Sequence, residues 1–421
     1  MTLIQDIPST VASDYASLHE HFAEIFARIA EGSRERDFAR ILPFEQVAWL
    51  NEAGFSALRV PVEFGGAGVS VETFTRLLID LAAADSNVAH LYRSHFGFIE
   101  SLQWQEEPVA RRWYELAAAG KTVGNASTER GGNALGRLNT VLARNGEDWV
   151  LNGEKYYTTG TIFSDYTRVS AGLAGEDGRF FAVVDTKAAG VNIVDDWDGF
   201  GQRLTGTGTT TFESVRVPNE DIFDRIAGGA EATHEAAFFQ LVLLSVLAGI
   251  ARAARDDAAQ SVAKRARTFN TGSGLPFRED PLIQETVGRI ATKAFSAEAI
   301  VLAAARSLDG ALEKSLAQEV DVDGNRATTL EGHLAELAVE QAQVAVPELA
   351  ISAAQQLFET GGASATSTSK GLDRHWRNAQ TVATHNPISF RARSIGDYFI
   401  NGTLPEGLNA IGDATAKATA N

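Results

Sequence analysis

The chain has 421 residues, of which 44% are hydrophobic and 22% are charged, so it is long enough to bury the cores of two or three domains. It contains no cysteine, which excludes disulfides, thiolate nucleophiles, iron–sulfur clusters and thiolate zinc sites. A net charge of -17 opposes binding to nucleic-acid phosphates and to anionic membrane surfaces, so we expect neither nucleic acid nor membrane as a partner.

The sequence carries no visible targeting segment. The N-terminal stretch MTLIQDIPST lacks the basic and apolar regions of a secretory signal. The most apolar stretch, 236–251, is interrupted by Gln240 and Ser245 and is shorter than the roughly 20 residues that cross a bilayer. We therefore interpret it as a buried helix and expect a cytoplasmic protein.

The first third of the chain has the periodicity of amphipathic helices. Ser70, a residue type that caps helix N-termini, precedes apolar residues at helical spacing: Val71, Phe74, Leu77, Leu78 and Leu81. A second set of apolar positions outlines another short helix and its exit: Phe44, Val47, Leu50, Phe55 and Leu58.

From about residue 121 to 225 the pattern is typical of strands. The pair Asn152-Gly153, inside the run 149–157, predicts a hairpin because this dipeptide supplies the positive φ angles of a type I′ turn. Residues 180–184 form a short apolar run, and 207–217 is rich in Thr and Val, so both are predicted strands.

After residue 230 the helical pattern returns in three long segments, around 235–268, 281–315 and 327–359. Each is far longer than the mean helix of about 11–12 residues, which indicates a helical bundle. A run rich in Gly, Ser and Thr at 361–369 separates the last segment from the tail. We therefore expect an N-terminal helical domain at 1–122, a middle β domain at 123–230 and a C-terminal helical bundle at 231–421.

Several common enzyme motifs are missing from the sequence. It has no Walker A loop, no dinucleotide fingerprint in a strand–helix context, no HExxH pattern and no GxSxG nucleophile elbow. A conventional P-loop, Rossmann or zinc enzyme is therefore excluded, and we predict no metal site.

Four segments, in order, resemble the acyl-CoA dehydrogenase superfamily. They are LRVPVEFGGAG at 58–68, GNASTE at 124–129, NGEKYYTTG at 152–160, and WDGFGQRLT at 197–205 followed by VRVP at 215–218. The resemblance implies an α+β fold with an N-terminal helical domain, a middle β-barrel or sandwich domain and a C-terminal helical bundle. It also implies a bound flavin.

The same resemblance, together with the chemistry of short hydroxyl side chains and free amides, indicates which residues contact the flavin ring. They are Asn125, Ser127, Thr128, Thr158, Thr159 and Gly160. For the phosphate we expect Arg267, assisted by Arg374 and by the loop glycines Gly361 and Gly362, and we expect Phe269 as a further cofactor contact. The alternative interpretation of these residues is an ordinary strand, helix end or connector.

One position departs from the dehydrogenases. These enzymes typically carry a catalytic glutamate near the C-terminus, but here Asn386 stands in its place, and an amide cannot accept a proton. The stretch LDRHWRN at 372–378, the tripeptide His385-Asn386-Pro387, and RARTF at 265–269 followed by Asp280-Pro281 instead resemble the flavin-dependent monooxygenase branch of the superfamily. That branch includes dibenzothiophene monooxygenase, sulfur-acquisition monooxygenases and amine N-oxygenases.

This second resemblance implies FMN, delivered as FMNH2 by a separate NAD(P)H-dependent flavin reductase, with FAD as the alternative. Reaction with O2 would give a flavin C4a-hydroperoxide that must be protected from water. His385 is suited to hydrogen-bond or protonate the peroxide because histidine titrates near neutrality. Thr159 and Asn386 would complete this side of the site, and Tyr92 and His95 the opposite wall. A structural role is the alternative for each.

The leading hypothesis is a two-component monooxygenase that oxidises a small organosulfur compound: a sulfide, sulfone or sulfinate. An amine N-oxygenase and an FAD-dependent acyl-CoA dehydrogenase with a displaced base are the alternatives. For all three hypotheses the resemblance implies a homotetramer.

The chain has almost no sulfur, because its one methionine is Met1 and it has no cysteine. An enzyme made under sulfur starvation should contain little sulfur, so this composition favours the organosulfur hypothesis. A GC-rich, alanine-heavy genome would explain the same composition.

Overall fold

The computed structural model describes residues 14–130, 138–175, 179–224, 228–266, 272–319 and 326–405. Helices precede and follow a central sheet. The first group of helices is α1 (Tyr15–Glu31), α2 (Ser33–Ala39), α3 (Phe44–Glu52), α4 (Val71–Ala84), α5 (Ser86–Leu91), α6 (Arg93–Ser101) and α7 (Glu107–Ala118). The second group is α8 (Gly229–Lys264), α9 (Pro281–Leu316), α10 (Leu330–Gln356), α11 (Asp373–Ala383) and α12 (Ile388–Asn401).

The middle of the chain forms a mixed sheet. Its strands are β1 (Val123–Ala126), β2 (Val141–Asn145), β3 (Asp148–Lys155), β4 (Tyr166–Leu173), β5 (Phe180–Asp185), β6 (Val191–Val194), β7 (Thr209–Val217) and β8 (Ile222–Asp224). The order is β6-β7-β3-β2-β4-β5-β8, and β1 adds to β4 off this path. β4 pairs in parallel with β1 and β2, whereas the other described pairings are antiparallel.

Most of the elements predicted from the sequence are confirmed. Ser70 caps α4 by accepting a hydrogen bond from the Thr73 backbone N–H at 3.1 Å. The strands predicted at 180–184 and 207–217 correspond to β5 and β7, and the three long C-terminal helices correspond to α8, α9 and α10. We propose 1–122, 123–230 and 231–421 as the boundaries of the three domains.

The predicted hairpin at Asn152-Gly153 is wrong. These residues lie inside β3, where the register with β7 shifts between Leu151 and Gly153, so they form a bulge rather than a turn. The glycine is required there because a Cβ at Gly153 would lie 2.5 Å from Thr140. The hairpin turn instead lies between β2 and β3, at Gly146 and Glu147. A different Asn-Gly pair, Asn145-Gly146, therefore marks it.

The two groups of helices share one hydrophobic core. Side chains of α1 and α4 pack in the same cluster as those of α8, α9 and α10, with Phe74 stacked on Phe238 at 5.7 Å between ring centroids. Helix α8 is long and apolar enough to cross a membrane, but 78% of its most apolar stretch is buried inside the protein. That burial confirms the interpretation of 236–251 as a core helix.

A buried charge cluster also crosses between the groups. Glu100 on α6 binds Arg59 at 2.6 Å and His234 of α8 at 3.1 Å, and its carboxylate is almost fully enclosed. Burial alone would raise the pKa of Glu100, but the charge of Arg59 and the hydrogen bonds from His234 and Arg59 hold it well below its usual range. The sequence around His234 is polar and would predict a surface position, but the residue is 6% exposed, because Glu100 compensates its polarity inside the protein.

We expect Glu100→Gln to lower the free energy of unfolding by about 3–5 kcal/mol, because it leaves the buried Arg59 without its counter-charge. Denaturant titration followed by circular dichroism measures the change. Glu107→Gln is the matched control, since Glu107 pairs with Arg111 on the surface, where loss of a salt bridge costs about 0–1 kcal/mol. Equal effects of the two substitutions would contradict this account of the cluster.

Candidate functional site

A buried hydrogen-bond network joins the sheet region to both groups of helices. The Gln202 backbone N–H donates to Asn378 Oδ1 of α11 at 2.7 Å. Ser86 Oγ, at the start of α5, accepts from Gln202 Nε2 at 3.2 Å and from Asn378 Nδ2 at 3.1 Å. Gln202 Oε1 faces His90 Nδ1 at 3.2 Å. All four residues are buried, so the network fixes the relative positions of three parts of the chain.

The local sequence explains why the chain can approach α11 so closely here. A Cβ at position 201 would lie 2.0 Å from the Arg377 carbonyl oxygen, so only glycine fits at Gly201. Gln202 follows with φ of 50°, in the left-handed region that few non-glycine residues adopt. The Gly-Gln pair of the segment 197–205 thus builds the junction.

A cleft lies beside this junction, between α8, α10 and the turn after α11. Leu243, Leu244, Leu247, Pro347, Val382 and Ile388 supply its apolar walls, and Gln240, Gln343, His385 and Asn386 supply its polar groups. Gln240 Oε1 accepts from Asn386 Nδ2 at 2.9 Å and from Gln343 Nε2 at 3.0 Å. These two donors orient the Gln240 amide, so its own NH2 group is available as a donor.

The pKa values of two histidines near the cleft are lowered. Burial and the charge of Arg93 lower the pKa of His90 to about 4. The pKa of His385 is also lowered, by its partial enclosure and by the nearby Arg93 and His90, although the residue as a whole is exposed to solvent. Because Gln202 Oε1 can only accept, His90 Nδ1 carries the proton and its Nε2 keeps a lone pair.

Thr159 lies at the end of a chain of hydroxyl groups. Thr159 Oγ1 is 2.7 Å from Thr207 Oγ1, which is 2.7 Å from Thr205 Oγ1, and Thr205 donates to the Gln202 carbonyl at 2.9 Å. Since each hydroxyl has one proton, Thr207 must donate to Thr205 and Thr159 to Thr207. The Thr159 oxygen therefore retains free lone pairs, and its backbone N–H has no acceptor among the residues that the structure describes.

The other residues predicted to contact the flavin ring differ in how many hydrogen bonds their side chains already make within the protein. Thr158 donates to the Gly208 carbonyl at 2.9 Å and accepts from Thr210, and Thr128 bonds the Tyr156 carbonyl and the Tyr157 N–H. These hydroxyls are therefore committed to the sheet. Ser127 donates to Asn125 Oδ1 at 2.8 Å, which leaves the Asn125 Nδ2 group without a partner in the described part of the chain.

Gly160 is placed beside Thr159 by backbone packing. Its φ is 82°, and a Cβ there would lie 2.5 Å from the Leu91 carbonyl oxygen. The glycine therefore allows this loop to approach the end of α5.

Tyr92 and His95 face the N-terminal core rather than the cleft. The Tyr92 hydroxyl donates to Asn51 Oδ1 at 2.7 Å, and its ring packs on Phe55. His95 Nδ1 accepts from the Val123 N–H at 3.3 Å, so its protonated Nε2 donates to the Ser56 carbonyl at 2.8 Å. These contacts hold α6 against α3 and β1, and we assign neither residue to the opposite wall of the site.

The predicted phosphate ligands are not gathered into one free site. Arg374 binds Asp257 at 2.8 Å and the Gly371 carbonyl at 2.9 Å, so its guanidinium already has partners. The Gly361 carbonyl accepts from Arg265 at 2.9 Å, and Gly362 adopts φ of 55° within the same loop. Arg267 and Phe269 lie outside the described residues.

Three polar residues near the cleft were missed as site candidates: His90, Arg93 and Gln240. Each interrupts a strongly apolar helical stretch, and Gln240 was visible as the break in 236–251. A polar side chain in such a stretch is a usable signal, because burying it without a partner is costly.

Comparison with known proteins agrees with this geometry. Residues 125–215 match the middle domain of acyl-CoA dehydrogenases, and residues 241–390 match their C-terminal domain. The chain therefore belongs to the acyl-CoA dehydrogenase superfamily, and the predicted fold class is confirmed.

Within that superfamily, the chain resembles flavin-dependent monooxygenases. It is 28% identical to the probable FMNH2-dependent monooxygenase SfnC of Pseudomonas putida, over 91% of this chain and 94% of that one. The structure of TdsC from Paenibacillus sp. A11-2 with FMN and indole superposes with a TM-score of 0.83 and 25% identity, covering 93% of this chain and 99% of that one. Methanesulfinate monooxygenase MsuC from Pseudomonas fluorescens gives a TM-score of 0.82 and 26% identity, covering 92% and 97% of the two chains.

We expect the stability of the protein to fall as the pH is lowered from about 6.5 to about 4. Burial lowers the pKa values of both His90 and His95 to about 4, whereas unfolded histidine titrates near ~6.5. In this window the unfolded chain binds more protons than the folded one, so protonation favours unfolding. His95→Gln should reduce the slope of unfolding free energy against pH by the contribution of about one proton; an unchanged slope would contradict the assignment.

Proposed function

We propose that this protein is the oxygenase of a two-component system that uses FMNH2 and O2 to oxidise a small organosulfur compound. The relatives named above support this proposal through their FMN-dependent chemistry and the methanesulfinate activity of one of them. The separate reductase that such chemistry needs, a homotetrameric assembly and a cytoplasmic location are parts of the same proposal. Phosphate contacts from a neighbouring subunit would accord with the internal pairing of Arg374.

The observation that carries the proposal is the chemistry of the cleft. Asn386 stands where a dehydrogenase needs a carboxylate, and no described residue lining the cleft is acidic. Its titratable lining group is His385, whose lowered pKa makes it a weak base. The cleft is therefore poorly equipped to remove an α-proton from an acyl thioester and better suited to an uncharged hydrogen-bonding role.

The free groups near Thr159 fit a flavin ring. The Thr159 backbone N–H and the Asn125 amide are donors without partners among the described residues, and they suit the acceptor atoms of an isoalloxazine. The Thr159 hydroxyl oxygen, an acceptor because of its chain of hydroxyls, suits the N5–H of the reduced ring. Asn125 and Thr159 are thus the proposed ring-binding residues, with Ser127 orienting Asn125.

Bound reduced FMN would supply two electrons and, with O2, the transferred oxygen atom. The chain contributes the surroundings. The leucines of α8 would shield the reaction from water, Thr159 would orient the ring, and His385 with Asn386 would supply hydrogen bonds from the cleft wall. The neutral state of His385 lets its ring donate one hydrogen bond while accepting another.

We expect Thr159→Ala to weaken FMNH2 binding by about fivefold, the effect of one lost hydrogen bond of about 1 kcal/mol. Thr158→Ala is the matched control, because its hydroxyl bonds only within the sheet. It should lower stability while changing FMNH2 affinity by less than about twofold. Anaerobic titration of both variants measures the affinities, and equal losses would exclude the assignment of Thr159.

His385→Ala should uncouple the reaction. With FMNH2 supplied by a reductase and a panel of sulfides, sulfones, sulfinates and amines, we expect a loss of about 10²-fold or more in oxygenated product, because a hydrogen-bonding or proton-transfer group is removed. Consumed O2 should then appear as hydrogen peroxide.

His333→Ala provides the control, since His333 bonds the Pro405 carbonyl near the N-terminus of α10, about three helical turns before the cleft residue Gln343. Unchanged product yield in His385→Ala would exclude His385 from the reaction. Hydroxylamine products without sulfur oxidation would instead identify an N-oxygenase, and bleaching of bound FAD by an acyl-CoA would identify a dehydrogenase.

A further inference from the structure

Arg93 is fixed against α8 at the residue that precedes the cleft residue Gln240. It is the first residue of α6, and its Nε donates to the Phe239 carbonyl of α8 at 3.0 Å. Its guanidinium carbon lies 4.6 Å from the centroid of the Phe239 ring. A Cβ at Gly97, one turn along α6, would lie 2.2 Å from the same ring, so the two helices are in close contact here. The next residue of α8 is Gln240, which lines the cleft.

The charge of Arg93 lacks a counter-ion. Three other enclosed arginines each bind a carboxylate: Arg36 with Asp85, Arg59 with Glu100 and Arg391 with Glu340. Arg93 has no carboxylate within 4.0 Å in the described ranges, although it is partly buried. The nearby Glu235 is already paired with Arg168 at 2.6 Å.

Arg93 is nevertheless cationic at neutral pH. Burial lowers its pKa only to about 10. A partly buried cation that has no carboxylate partner attracts an anion more strongly than an exposed one, because water screens it less. The two terminal nitrogens of its guanidinium have no described hydrogen-bond acceptor, so they can bind two oxygens of one anionic group.

The surroundings of Arg93 contain donors rather than competing anions. His90 is neutral at pH 7, and the charge of Arg93 lowers the pKa of both His90 and His385. The Gln240 NH2 group has no described acceptor, because its orientation is set by Asn386 and Gln343. The leucines of α8 offer only an apolar wall, suited to a small alkyl group.

We propose that Arg93 is the substrate-binding residue for an anionic group and that the substrate is a small organic sulfinate; this inference rests on the proposed function. The two sulfinate oxygens accept from the guanidinium fork, while the sulfur retains the lone pair that is oxidised. A sulfide or a sulfone is neutral and would leave the Arg93 charge uncompensated.

The reaction is balanced as R–SO2⁻ + O2 + FMNH2 giving R–SO3⁻ + H2O + FMN. One oxygen atom forms a new bond to sulfur, which is oxidised by two electrons, and the O–O bond breaks. The other oxygen atom leaves as water with the two electrons and two protons that FMNH2 delivers. Arg93 binds both the sulfinate and the sulfonate, and it is neither oxidised nor deprotonated.

Calorimetric titration of the full chain loaded with oxidised FMN tests this inference without turnover. The probes are methanesulfinate and dimethyl sulfone, which have similar size but differ in charge. Wild type should bind methanesulfinate more tightly. Arg93→Gln should weaken that binding by about 10- to 100-fold, as expected for hydrogen bonds to a charged group, while FMN affinity changes by less than about twofold. Arg93→Lys should restore part of the affinity.

Arg306→Gln removes an exposed positive charge elsewhere and should leave binding unchanged. Equal affinity of wild type for the two probes, or full methanesulfinate affinity in Arg93→Gln, would overturn the proposal. If 3-(methylthio)propanoate binds through Arg93 and is oxidised whereas methanesulfinate is not, the sulfinate assignment is overturned. Failure to bind FMN, or to oxidise any sulfur compound, would count against the proposed function separately.

Discussion

The structure depends on the buried network around Gln202. One side chain and one backbone N–H connect α5, the loop before β7 and α11, and each polar group in the junction has a partner. Buried amides are tolerated only when they are satisfied, so small displacements of any of the three elements are penalised. The same residue orients the His90 ring and receives the hydroxyl chain that ends at Thr159. The hydrogen bonds of Gln202 therefore fix both the packing of these three elements and the positions of His90 and Thr159.

A second electrostatic feature gives the site its character. In most buried positions the chain compensates charge locally, as Glu100 does for Arg59 and His234. At Arg93 it does not, and two neutral histidines lie in the field of that cation. A cleft with one uncompensated positive charge, several donors and no acidic lining residue among those described favours an electron-rich anionic ligand over one that must lose a proton.

The sequence predicted the architecture well and the site less completely. Periodicity and caps located α4 and the long helices because those signals are local to each helix. The hairpin prediction failed because two Asn-Gly pairs have the same local preference, and only pairing of β3 with β7 decides that Gly153 forms a bulge. Tertiary pairing, not the dipeptide, determined the outcome.

The side-chain directions around Tyr92 show why the site was harder to predict. Helix α5 ends at Leu91 and α6 begins at Arg93, so the helical phase changes between His90 and His95. Spacing along the sequence therefore could not tell that Tyr92 and His95 face the N-terminal core while His90 and Arg93 lie near the cleft. Family motifs located His385, Asn386 and Thr159, because their positions are fixed relative to those motifs rather than by periodicity.

The most direct test of the proposed function is the fate of oxygen. The protein, FMN, NADH and a flavin reductase are incubated under ¹⁸O2 with an organosulfur substrate, and the product is analysed by mass spectrometry. We expect one ¹⁸O atom in each product molecule for each oxygen insertion, with formation strictly dependent on the reductase and FMN. Product that carries oxygen only from water, or a product formed without O2, would contradict the assignment of this protein as a flavin-dependent monooxygenase.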